Sequence, residues 1–118
     1  MQIKNKKILI IIFLLSVFQL NLNLSAEEFN ISAKEIIIDK ENKIVVGKGS
    51  VIAKDSKGKF VHADKITYKK SKEFLLAEGK VKIDDNEGNI LITDKATYDK
   101  INEKIVTYSN TNLILNDG

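Results

Sequence analysis

Histidine and cysteine, two residue types that are common in catalytic and metal sites, are almost absent from this chain. There is one histidine, His62, and there is no cysteine, so the sequence excludes a thiolate nucleophile, a thiolate zinc site and a disulfide. Ile92 stands at the position thirty residues after His62. The position therefore accepts an apolar residue, which favours a core or edge histidine over a catalytic base or a metal ligand.

The acidic residues form two patterns that resemble functional sites. Residues 84–88 look like a calcium loop, but they lack the spacing and the closing glutamate of an EF-hand, which indicates a solvated turn. Asp64 and Asp94 recur thirty residues apart. We interpret them as corner residues that accept hydrogen bonds from the backbone, rather than as a catalytic carboxylate pair. The sequence shows no phosphate-binding loop and no nucleophile elbow. We therefore predict a protein that is not an enzyme and that uses no metal or cofactor.

The charge pattern argues against nucleic acid as a partner. All 19 basic residues are lysines, and the net charge of +3 is carried by the three lysines at positions 4, 6 and 7. The rest of the chain is neutral overall. Binding to nucleic acid would be favoured by arginine, which makes bidentate contacts with bases and phosphates, and by a net positive field.

The elements that position these residues repeat every thirty residues. Matching segments begin at Ala33, Ala63 and Thr93, and the second and third share the pattern Asp-Lys-x-Thr-Tyr-x-Lys. Glycines and apolar positions keep the same register. A fixed period of this size is typical of repeat proteins, in which each unit buries its apolar face against its neighbours.

Within each repeat, short apolar and β-branched runs separated by turn residues predict about three strands and no helix. A flat strand from Phe60 to Tyr68 would place the carboxylate of Asp64 on an apolar face, so we expect a corner near residues 63–64 and another near 93–94. The predicted fold class is all-β, with two facing sheets, open strand edges and an apolar slot between the sheets. The residues predicted to line this slot are Ile36, Ile38, Val51, Phe60, Ile66, Tyr68, Leu76, Val81, Ile83, Ile90, Ile92 and Tyr98.

The N-terminal segment has the features of an export signal. Three lysines precede an apolar run over residues 8–18, and a more polar stretch ends at Ala26. This order predicts a secretory signal peptide over residues 1–26, followed by one domain over residues 27–118. The alternative is an uncleaved anchor in the inner membrane, although the apolar run is short for a bilayer span of about 20 residues. Either interpretation places the domain outside the cytoplasm.

The repeats resemble the OstA-like (LptA-type) domain of lipopolysaccharide transport and assembly proteins. The residues that carry the resemblance are 63–68, 77–83, 88–93 and 94–98, with a weaker copy at 46–53. The resemblance covers about residues 31–118. It implies a repeat-built β-jellyroll that is open at both ends, joins end to end with similar domains and holds the acyl chains of lipopolysaccharide between its sheets.

Three types of protein within this family are compatible with the sequence. They are the periplasmic bridge protein, the N-terminal domain of the outer-membrane assembly protein LptD, and an inner-membrane-anchored relative of the LptC type. We favour the LptD type, with the domain continuing beyond Gly118, in the periplasm or at the outer membrane. Two rival hypotheses remain open. One is a structural β-repeat whose slot is filled by its own side chains, and the other is an extracellular enzyme on a β-solenoid.

Overall fold

The computed structural model describes residues 29–108 and 110–116, which form eight β-strands. The predicted signal peptide lies outside the described residues. The strands are β1 (Asn30–Ser32), β2 (Glu35–Asp39), β3 (Ile44–Lys54), β4 (Phe60–Lys69), β5 (Phe74–Asp84), β6 (Ile90–Asp99), β7 (Lys104–Tyr108) and β8 (Asn112–Ile114). One turn of 3₁₀ helix (Lys70–Lys72) separates β4 from β5. The predicted all-β class is confirmed.

The strands form one antiparallel sheet in which the four long strands lie side by side in chain order. β2 pairs with the first part of β3 and β1 with its second part. In the same way, β7 and β8 pair with different parts of β6. The sheet therefore has two halves. The first half runs from β2 to β7, the second runs from β1 to β8, and the long strands pass from one half to the other.

The thirty-residue period determines the length and position of the strands. β4 and β6 have bounds that differ by thirty residues, and so do β3 and β5. At each end of the repeat array, two short strands take the place of one long strand. β1 and β2 correspond to the two parts of β4, and β7 and β8 correspond to the two parts of β5. The predicted repeat-built β-jellyroll with open edges is confirmed in this form.

Each long strand bends where it passes between the halves. The pairing register shifts between Lys48 and Val51 in β3, and between His62 and Lys65 in β4. This places a corner at residues 63–64, as predicted, and the pairing of β5 with β6 skips Asp94 in the same way. Such bulges let a strand turn from one packing layer into the next.

Gly79 is needed at the bend of β5. Its φ is +82°, and a Cβ atom there would lie 2.5 Å from Oδ2 and 2.9 Å from Cβ of Asp64. We expect Gly79→Ala to lower the free energy of unfolding by about 1–3 kcal/mol, because the left-handed conformation and the contact with Asp64 both oppose a side chain. Urea unfolding followed by circular dichroism measures this. The control is Lys80→Gly at the next residue, whose φ is +48°; it should cause no loss. Equal stability of Gly79→Ala and wild type would contradict the prediction.

The two halves pack face to face around a single apolar core. A Cβ atom on Gly47, in the first half, would lie 2.8 Å from Val51 Cγ1 and 3.4 Å from Ile31 Cγ2, which belong to the second half. The largest fully buried side chains come from both halves and are Tyr68, Tyr98, Ile66, Leu75, Val51, Val61 and Val81. Burial of this apolar surface is the main source of stability for such a sheet.

Candidate functional site

The candidate site is the interior between the two halves, and its lining follows from the pairing register. Residues opposite each other on neighbouring strands share a face of the sheet. In the first half Val45, Tyr68, Leu75, Tyr98 and Ile105 are aligned in this way across five strands. The inner face of this half is therefore apolar from one edge to the other.

Eight of the predicted lining residues lie on the inner face. Six of them are buried in the core, each with at most 4% of its surface exposed: Val51, Ile66, Tyr68, Val81, Ile83 and Tyr98. Ile36 and Ile38 pair with Gly47 and Val45 and therefore share the inner face, but they lie on the edge strand β2 and are exposed. Whether these residues bind lipid stays a prediction.

The predicted inward orientation of Phe60, Leu76, Ile90 and Ile92 is wrong. None of the four belongs to the core cluster, and Ile92 is 41% exposed. Their neighbours Val61, Leu75 and Leu91 belong to the core or pack against it.

These errors have two physical causes. The bulge at Asp64 adds one residue to β4, so the buried positions are 61 and 63 before it but 66 and 68 after it. A bulge of this kind reverses the alternation, and the equivalent bulge in β6 does the same to residues 90–92. In β5 the run over residues 74–77 is apolar at every position, so alternation alone does not identify the inner face.

The core side chains of the described structure pack against one another between the halves, and two surface recesses lie at the edges of the sheet. One recess of about 160 Å³ is lined by Ile38, Asp39, Lys40, Lys43, Ile44, Val45 and Lys70. Another of about 330 Å³ is lined by Asn30, Ile31, Ser32, Ile52, Lys54 and Phe60. A lipid chain that enters between the halves must therefore displace side chains.

The long side of the interior opposite the bends is closed by a group of five residues, which we call the closing cluster: Phe29, Asp55, Tyr68, Tyr98 and Lys100. Lys100 Nζ lies 3.9 Å from Asp55 Oδ2, and both side chains are almost fully buried. The same ammonium lies 4.9 Å from the centre of the Phe29 ring. Phe29 makes edge-to-face contacts with both tyrosines, at centroid distances of 5.4 and 5.9 Å.

Lys59 extends the closing cluster towards solvent. Its Nζ donates a hydrogen bond of 2.8 Å to Tyr98 Oη, and Tyr98 Oη donates a longer one, of 3.4 Å, to Glu103 Oε2. Burial lowers the pKa of Lys59, but the hydrogen bond to Tyr98 and the nearby negative charges outweigh it, so the net shift is upward. Burial raises the pKa of Tyr98, and the hydrogen bond from Lys59 opposes this. Lys59 therefore stays charged at neutral pH.

Tyr68 and Tyr98 were predicted to line the slot, whereas the other members of the closing cluster, Phe29, Asp55 and Lys100, were not predicted from the sequence. Lys100 has equivalents in every repeat, Lys40 and Lys70, and both are exposed. Nothing in the local sequence distinguishes the one that is buried. Asp55 also belongs to a turn, in which its Oδ1 accepts hydrogen bonds from the backbone N–H groups of Lys57 and Lys59.

The acidic turns satisfy their own backbone and do not converge on a metal site. Asp85 accepts hydrogen bonds from the backbone N–H groups of Glu87 and Asn89, and its pKa is lowered mainly by a side-chain hydrogen bond from Asn89. Within the described residues, no group of three or more acidic, histidine or cysteine side chains is placed to hold a metal ion.

The two ends of the sheet leave backbone groups without a strand partner. In the described structure β2 and β1 form one end, β7 and β8 form the other, and each of these four strands pairs on one side only. Inner-face residues are exposed at both ends: Ile36 and Ile38 at the first, and Ile105 and Leu113 at the second. Such edges are competent to accept a strand from another chain.

Known proteins resemble this chain in fold rather than in sequence. No protein-family model matches it, and no curated protein matches it. No helix in the described residues is long and apolar enough to cross a membrane. Among the solved structures that the fold resembles is LptH of Pseudomonas aeruginosa, the LptA homologous periplasmic component of the conserved lipopolysaccharide transport device. The aligned region covers 76% of this chain and 96% of LptH. The two chains are 12% identical in sequence and superpose with a TM-score of 0.49.

Proposed function

We propose that this chain is a non-enzymatic module of lipopolysaccharide transport or outer-membrane assembly, which passes lipid between the halves of its sheet. The observation that carries the proposal is an apolar inner face that runs from edge to edge and is exposed at both ends. A tightly binding receptor would place polar groups along the path to fix its ligand. A conduit requires passage, for which an aliphatic and aromatic lining is suited.

The proposal places the domain, residues 27–118, outside the cytoplasm after export by the N-terminal segment. Its setting is the periplasm or the periplasmic side of the outer membrane. Of the three family types, the N-terminal domain of an LptD protein remains the one we favour. The motifs at 63–68 and 94–98 that suggested the family lie at the bends and on the inner face.

The same proposal includes end-to-end assembly with other domains of this type. β7 runs antiparallel to β6, so a second domain could add its own β2 antiparallel to β7 and continue the alternation. In the pairing of β5 with β6, Glu78 lies opposite Lys95 and Phe74 opposite Asp99. β7 corresponds to the first part of β5 thirty residues earlier, and β2 corresponds to the second part of β6 sixty residues later. The same register therefore places Tyr108 opposite Glu35, Val106 opposite Ile37, and Lys104 opposite Asp39 of the second domain. The junction would thus combine an apolar pair with an ion pair.

Photocrosslinking in a Gram-negative envelope tests the lipid path. A small diazirine residue is placed at Ile66, which is fully buried on the inner face, or at Lys65, which is exposed on the outer face. We expect capture of lipopolysaccharide from position 66 and none from position 65, because only the inner position lies along the apolar path.

A second pair of positions controls for nonspecific capture of lipid by apolar residues on the surface. Leu91 packs against the core, whereas Ile92 is apolar but faces outward, so capture is expected at 91 and not at 92. Folding and export of each variant are checked by protease resistance of the periplasmic fraction. Absence of capture at both inner positions in folded, exported protein would contradict the proposed function.

The filled interior favours one alternative, a structural β-repeat that carries no lipid. In that case the buried tyrosines and aliphatic residues serve stability alone. Crosslinks from position 66 would then go only to the protein's own side chains.

A further inference from the structure

We propose that Phe29 occupies an acyl-chain site in the interior, and that a lipid chain takes its place when the closing cluster opens. The inference rests on the proposed function and deepens it, since it says where a chain first enters. The ligand class is an amphiphile that has an anionic head group and inserts one flexible acyl chain into the site.

Phe29 is not part of the repeat that builds the core. Its equivalents thirty and sixty residues later are Lys59 and Asn89, neither of which is apolar. Yet Phe29 is only 8% exposed and packs between Tyr68 and Tyr98. The repeats therefore leave a space at this point of the interior, and a residue from outside their pattern fills it.

Phe29 is held by an element that is easily displaced. It directly precedes β1, which has three residues and pairs with β3 alone. Short edge strands with few pairings open at low free energy compared with the centre of a sheet. Withdrawal of Phe29 would disrupt these three pairings and leave the four long strands in place.

Lys100 closes this space from the solvent side without tight hydrogen bonding. Its ammonium is buried and has no hydrogen-bond partner, since 3.9 Å from Asp55 is beyond hydrogen-bond distance. A buried ammonium with unused donors loses hydration without full compensation. Opening the closing cluster would return the group to water, or allow it to donate hydrogen bonds to an incoming anion.

The space vacated by Phe29 has the character of an acyl-chain site with an anionic entrance. Its walls are the aromatic side chains of Tyr68 and Tyr98, and apolar cavities of this kind stay dry and take apolar ligands. The ammonium groups of Lys59 and Lys100 lie at its entrance, where the carboxylates of Asp55 and Glu103 are their acidic neighbours in the closed state. When the closing cluster opens, these ammonium groups can instead donate hydrogen bonds to a carboxylate or phosphate head whose chain inserts between the tyrosines.

Fluorescence titration of the purified full-length protein with cis-parinaric acid, a fluorescent fatty acid, tests the inference. Phe29→Ala is expected to bind the probe about tenfold more tightly than wild type, because binding then no longer requires displacement of a native side chain. Phe60→Ala is the matched control: it removes the same side chain from the outer face and should leave affinity unchanged. Phe29→Leu, which keeps an apolar residue of smaller size, should give a smaller increase.

Unchanged affinity in folded Phe29→Ala, or an equal increase in Phe60→Ala, would overturn the inference. If Phe29→Ala does not fold, Phe29→Leu decides in the same way. Loss of fold in both variants also counts against it, since a displaceable residue cannot be essential for folding. The proposed function is judged separately by capture of lipopolysaccharide from position 66 in the wild-type sequence. Capture there with no effect of Phe29→Ala overturns only this inference, and the reverse result overturns only the transport role.

Discussion

Replacing Asp55 with alanine is expected to lower the free energy of unfolding by about 4 kcal/mol. Asp55 is 5% exposed and accepts two backbone hydrogen bonds of 2.9 Å in its turn. It is also the ion-pair partner of the buried Lys100. Removing one partner of a buried pair leaves an uncompensated charge, which costs about 3–5 kcal/mol. Urea unfolding of the full-length protein, followed by circular dichroism, measures the change.

Two further variants separate the contributions of the turn and of the charge. Asp55→Asn keeps an oxygen that can accept the turn hydrogen bonds and removes only the charge, so its effect should be smaller than that of alanine. Lys100→Met removes the opposite charge and keeps an apolar chain of similar length. We expect the double variant Asp55→Asn/Lys100→Met to be more stable than Asp55→Asn alone, since no unpaired charge remains. A loss below about 1 kcal/mol in Asp55→Ala would show that the pair is hydrated rather than buried.

Reversing one charge at the proposed junction is expected to weaken end-to-end association about tenfold. In Asp39→Lys, the new ammonium would face Lys104 of the neighbouring domain, and in Lys104→Asp the two carboxylates would face each other. Hydrogen bonds from Asn42 lower the pKa of Asp39, so the wild-type carboxylate is ionised at neutral pH. Sedimentation velocity at several protein concentrations measures the association.

Mixing the two charge variants provides the control for this prediction. Each variant alone meets a like charge at every junction, whereas an alternating mixture restores an opposite-charge pair at each one. We expect the equimolar mixture to assemble like wild type. The difference between single variants and mixture should shrink at high salt, because exposed charges are screened. Assembly of Asp39→Lys alone with wild-type affinity would show that the junction uses another register or another edge.

Much of the architecture could be predicted from the sequence because its determinants are local. The thirty-residue period, the β-branched runs and the turn residues each act within one repeat, and every repeat gives the same answer. The corner at Asp64 was predicted from a single conflict, a carboxylate on an otherwise apolar face. The number of residues inserted at each corner could not be read in this way. It is one in β4 but two in β3, and it determines which of Phe60 and Val61 faces inward.

An all-β repeat array with an apolar interior and two open ends can be predicted from the sequence alone, since periodicity and alternation encode burial within each strand. How that interior is closed depends on the packing of the two halves in three dimensions. The burial of Lys100, but not of its equivalents Lys40 and Lys70, depends on Asp55 and Phe29, which lie far away in the chain and meet it only when the two halves fold together. Burial of a charge is a property of its surroundings in space, so three lysines in the same local pattern differ in environment.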